Sequence, residues 1–96
     1  MPMYVIEREI PGIGNISDEQ ARQTILASLD VLDELGEEIR WVQSYVVEDK
    51  VYCIYFAPDE SLIRRHAEKM GIPANRISEV RRMLDPHAGT AASCMG

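Results

Sequence analysis

The stretch Trp41 to Phe56, WVQSYVVEDKVYCIYF, holds five of the chain's six aromatic residues around one short acidic turn. Apolar and β-branched residues on both sides of that turn predict a β-hairpin. One strand is expected over 39–49, a turn at 48–50 and the return strand over 51–57. Side chains alternate along a strand. The return strand therefore sets Cys53, Tyr55 and Ala57 against Tyr52, Ile54 and Phe56. The outgoing strand sets Trp41, Gln43, Tyr45 and Val47 against Val42, Ser44 and Val46. Neither face is polar enough to be left in water, so both need a cover.

The remaining segments say what the cover is. MYVIERE (3–9) reads as a strand, closed by the Pro/Gly turn PGIGN. Ser17 followed by Gln20 is a capping box, with Asp18 and Glu19 at the positive end of the helix dipole. Ala21, Ile25, Leu29 and Leu32 then recur at helical spacing, and Gly36 fits a helix end. A helix over 18–35 follows. Pro58 stops the third strand and Asp59 caps a second helix, with Leu62, Ile63, His66, Ala67 and Met70 as its inner stripe and Gly71 as its end. RISEVRRML (76–84) is a last strand, and the tail after Pro86 has no periodicity. The order βαββαβ predicts an α+β ferredoxin-like sandwich: one four-stranded antiparallel sheet of order 4-1-3-2, both helices on one face. Residues 1–86 form the domain and 87–96 a flexible tail. Helices cover only one sheet face, and a second copy of the chain is the simplest cover for the other.

Composition excludes several functions. The net charge is −6, with 10 Lys and Arg against 16 Asp and Glu. The basic clusters IRRH and EVRR are flanked by acidic residues, which argues against nucleic acid as a partner. No apolar run is long enough to span a bilayer, and MPMYVIEREI is not a secretory leader. A cytoplasmic protein with free thiols at Cys53 and Cys94 is expected. GIG (12–14) is too short for a phosphate loop, and no HExxH, CxxC or Ser/His/Asp arrangement is readable.

Taken together, YVIEREIPG, WVQSYV, DKVYCIYFAPDE, RRHAEKMGIPA and ISEVRRMLDP resemble a bacterial family of small ferredoxin-like proteins of unknown function, described as nickel-binding. The resemblance spans about residues 3–86. It implies the same fold, homodimerisation and binding of Ni²⁺ or another divalent metal; no organic cofactor is expected. Glu7, Trp41, Tyr45, Cys53, Tyr55, His66 and Glu79 match the family pattern and could do chemistry. Gln43 stands where many members carry a histidine.

Each candidate has a second reading. His66 points inward with an apolar stripe, so it is either a core histidine bonded to Tyr55 or a carboxylate, or a metal ligand. Cys53 is a buried structural thiol or a soft ligand. Glu7 and Glu79, on neighbouring strands, either join His66 around a metal or pair with Arg8, Arg76, Arg81 or Arg82. Trp41, Tyr45, Cys53 and Tyr55 line a small-molecule pocket or fill a core or interface. Two functions follow. One is a dimeric metal-binding protein. The other is a small dimeric α/β-barrel enzyme, a cofactor-free oxygenase or isomerase, which requires His66, Tyr55 and Cys53 to face a cavity.

Overall fold

The computed structural model describes residues 1–87, so Cys94 and the tail from 88 onward lie outside the described residues. The elements are β1 (Met3–Glu9), a 3₁₀ turn (Ile13–Asn15), α1 (Asp18–Leu35), β2 (Arg40–Val46), β3 (Lys50–Phe56), α2 (Glu60–Met70) and β4 (Arg76–Glu79). All strand pairings are antiparallel and the sheet order is β2-β3-β1-β4. This is the expected ferredoxin-like α+β arrangement, with β1 and β3 central.

Local chemistry sets the helix bounds. Ser17 and Gln20 form the reciprocal capping box, at 2.9 and 3.1 Å. Asp59 accepts from the Ser61 backbone N–H at 2.9 Å and starts α2. Gly71, at φ 68, ends α2 in the left-handed conformation that glycine adopts without steric cost. Among the described residues, no helix is long and apolar enough to cross a membrane.

Strand phase decides what faces the helices. Tyr4, Ile6 and Arg8 of β1 are buried, as are Val51, Cys53 and Tyr55 of β3. Val5, Glu7, Tyr52, Ile54 and Phe56 lie on the opposite face and are half-buried. Ile63, His66 and Ala67 of α2 close over the inner face.

Three expectations are corrected. β2 does not alternate throughout. A bulge between Trp41 and Gln43 shifts the register, so Trp41 pairs with Tyr55 while Ser44 pairs with Cys53 and Tyr45 with Tyr52. One extra residue inverts the phase of everything after it. Trp41 and Ser44 therefore face the helices, and Gln43 and Tyr45 face away. β4 ends at Glu79 rather than 84. Its partner β1 begins at Met3, and the Val80 N–H to Met3 carbonyl bond of 2.7 Å uses up the ladder. Met83 and Leu84 run on exposed. The stripe of α1 is only partly covered: Leu32 and Leu35 pack on the core, but Ile25 and Leu29 remain about half exposed, at 45% and 49%. The N-terminal half of α1 stands off the sheet.

The PGIGN turn closes that end. Gly14 donates to the Glu48 carbonyl at 2.9 Å and Gly12 to Asp49 Oδ1 at 2.8 Å. A Cβ at Gly14 would sit 2.7 Å from the Val47 carbonyl oxygen, so only glycine permits this approach. The docking fixes Ile13 and Ile16 beside the gap left under α1.

Candidate functional site

The gap is a cavity of about 480 Å³ between the inner face of the sheet and the two helices. That size falls within the roughly 300–1,000 Å³ usual for small-molecule sites. Arg8, Trp41, Cys53 and Tyr55 contribute from the strands, and Ser28 and His66 from the helices. Ile10, Ile13, Ile16, Val51, Met70 and Ile72 supply much of the apolar wall. Ile25 and Val46 also line it and are exposed, which puts its mouth between α1 and the β2 edge.

The polar groups at its floor form one buried cluster. Arg8 is 1% exposed. Its Nη1 donates to the Pro73 carbonyl at 2.8 Å and its Nε to Cys53 Sγ at 3.4 Å. Nη2 is buried and has no hydrogen-bond partner among the described residues. Ser28 Oγ lies 3.1 Å from His66 Nε2, and His66 Nδ1 is likewise buried and unpaired. The His66 ring packs against Tyr55 with centroids 5.3 Å apart, and Tyr55 stacks with Trp41 at 6.5 Å. Trp41 Nε1 donates to Ser44 Oγ at 2.9 Å.

Electrostatics follow from burial. Loss of solvent, and secondarily the Arg8 charge, push the His66 pKa down from 6.5 to about 4, so the imidazole is neutral at pH 7. Burial pushes the Tyr55 hydroxyl up to about 12, with Cys53 adding to the rise; the nearby Arg8 charge and the Ser28 side chain oppose it. Tyr55 therefore stays protonated and can donate. Among the described residues no Asp or Glu lines the cavity. The chain as a whole is acidic, yet this interior holds one guanidinium and no countercharge. Ser28 and His66 resemble a nucleophile–base pair, but among the described residues nothing orients Nδ1, and the lowered pKa makes the imidazole a weak base.

The predicted site residues separate into two groups. Trp41, Cys53, Tyr55 and His66 meet in the cavity. Tyr45 does not join them, because the bulge turns it to the other face, where Gln43 bonds its hydroxyl. Glu7 and Glu79 do not approach His66 together. Glu7 sits opposite Arg76 on the outer face and pairs with Lys50 at 2.7 Å. Glu79 sits opposite Tyr4, on the other side of the sheet from Glu7. Its charge, with those of Glu60 and Asp59, adds to the burial that raises the Tyr4 pKa, which places it by the start of α2. Among the described residues, no three His, Cys, Asp or Glu side chains are grouped so as to hold a metal ion. Arg8 and Ser28 were missed as site residues. Arg8 has the same strand phase as Tyr4 and Ile6, and Ser28 falls at the helical spacing of Ala21, Ile25 and Leu32; both signals are readable.

The chain matches the family described as nickel responsive protein SCO4226-like over residues 4–80. The chain belongs to this family. The crystal structure of SCO4226 from Streptomyces coelicolor A3(2) superposes with a TM-score of 0.70 at 22% identity, covering 85% of this chain and 99% of that one. That likeness bears on the fold. No curated protein matches the chain in sequence.

Proposed function

We infer that this member of the nickel-responsive family is a small-molecule-binding protein, and that its ligand occupies the cavity under α1. The observation carrying this reading is the cavity itself: about 480 Å³, mostly apolar, with unpaired buried polar atoms on Arg8 and His66 at its floor. Buried polar atoms are normally satisfied, and a ligand is one way to satisfy them. Binding without acid–base catalysis is favoured over the oxygenase or isomerase reading. Burial lowers the His66 pKa and raises that of Tyr55, which matches both poorly to proton transfer near pH 7. Fragment titration followed by amide and indole NMR shifts is the test. Shifts gathered on Ser28, Trp41, Ser44 and Cys53 are expected. Shifts scattered over the surface, or none, would overturn the reading.

Family membership supports a link to nickel, but the cavity does not suit a resident Ni²⁺. The guanidinium beside Cys53 and His66 repels a divalent cation, and Glu7 and Glu79 are not available to offset it. The link to nickel therefore does not run through a metal held by His66, Glu7 and Glu79. Calorimetric titration of Ni²⁺ is expected to give the same curve for wild type and His66→Gln.

A second feature favours assembly as a homodimer through the outer sheet face. Val5, Ile54 and Phe56 are half-buried there, beside Tyr52 and the exposed Tyr45, with no helix over them. Each Å² of apolar area covered by a second copy contributes roughly 25 cal/mol. Light scattering at micromolar concentration is expected to give twice the chain mass, and Phe56→Glu to halve it. A wild-type monomer would sink this part of the account.

A further inference from the structure

We propose that the cavity selects a small aromatic monocarboxylate, with the carboxylate on Arg8 and the ring against Trp41 and Tyr55. This rests on the reading of the cavity as a ligand site and adds the chemical class of the ligand. Three observations carry it. Arg8 is buried, and Nη2 has no partner among the described residues, whereas Nε and Nη1 each make one hydrogen bond. A guanidinium is a permanent cation whose planar fork matches a carboxylate. Among the described residues no Asp or Glu lines the cavity, so the charge is uncompensated by these walls. One fixed cation calls for one negative charge.

The other donors agree with that polarity. The Tyr55 hydroxyl and the free His66 Nδ1 can each present a proton to an oxygen. The body of the ligand must then be apolar, because the remaining wall is largely isoleucine, valine and methionine. Trp41 and Tyr55, stacked at an interplanar angle of 20°, add aromatic surface to that wall. A cation or a sugar would leave Arg8 unpaired or its own hydroxyls unsatisfied.

Trp41 is the only tryptophan in the chain and lines the cavity, so its fluorescence reports occupancy. The experiment titrates benzoate and its neutral isostere benzamide into wild type and Arg8→Met. Charge-assisted hydrogen bonding predicts benzoate binding roughly 10- to 100-fold tighter than benzamide in wild type. Arg8→Met is expected to abolish that preference while still binding benzamide. Equal affinity for the two probes in wild type would overturn the anion assignment and leave the cavity as a ligand site. No response to either probe at millimolar concentration would overturn the cavity reading and this inference with it. The wild-type ratio decides the ligand class even if Arg8→Met fails to fold.

Discussion

His66 should make the protein acid-sensitive in a defined window, and His66→Gln should remove that sensitivity. The side chain is 1% exposed, with Ser28, Tyr55 and the Arg8 charge as neighbours. In the unfolded chain it takes up a proton near pH 6.5; in the folded protein it resists until about pH 4. Between those values the unfolded state binds more protons, so stability falls as pH falls. The loss begins near the unfolded pKa and is complete just below the folded one. A drop from 6.5 to about 4 corresponds to on the order of 3 kcal/mol. Glutamine carries an amide nitrogen close to the position of Nε2, can keep the Ser28 contact and does not titrate. Urea unfolding of both proteins from neutral pH down to pH 4 measures the difference. Wild type should lose about 3 kcal/mol relative to His66→Gln across that range. The lowered pKa of Asp59 acts below its ordinary 3.8, outside this window, and is common to both proteins. Parallel curves would refute the burial argument for His66.

Two further outcomes follow from the same geometry. Arg8→Met should be neutral or stabilising in thermal unfolding, by up to about 2 kcal/mol, because it removes a buried cation without a carboxylate partner; a large loss would mean that the Pro73 and Cys53 contacts outweigh the desolvation cost. Gly14→Ala should cost about 1–3 kcal/mol and loosen the loop that carries Ile13, since its Cβ meets the Val47 carbonyl at 2.7 Å; unchanged stability would show that the loop yields freely.

Much of the fold was legible because local chemistry and global topology agree. The bounds of α1 could be read from Ser17, Gln20 and Gly36, and the hairpin from two apolar runs around EDK, one residue beyond the observed turn. What escaped the sequence depends on partners. Nothing in WVQSYV marks Val42 as the residue at which alternation breaks, yet that one position decides that Trp41 joins Tyr55 while Tyr45 leaves it. The length of β4 is set by where β1 begins, not by RISEVRRML itself. The candidate site was half legible. Trp41, Cys53 and Tyr55 were grouped as pocket residues together with Tyr45, and His66 was read as inward-facing, but which sheet face carries Cys53 and Tyr55 was not readable. The carboxylates were assigned by strand adjacency, whereas register puts Glu7 and Glu79 on opposite faces. Arg8 was read as a pairing partner for a carboxylate, although its position two residues after Ile6 already aimed it into the interior.

A crystal structure of the protein soaked with benzoate tests the central claim most directly. The account predicts one ring in the cavity beneath α1, beside Trp41, with a carboxylate oxygen within hydrogen-bond distance of Arg8 Nη2. An α1 collapsed onto the sheet, with Ile25 and Leu29 filling the space and Arg8 Nη2 bonded to another protein group, would contradict it.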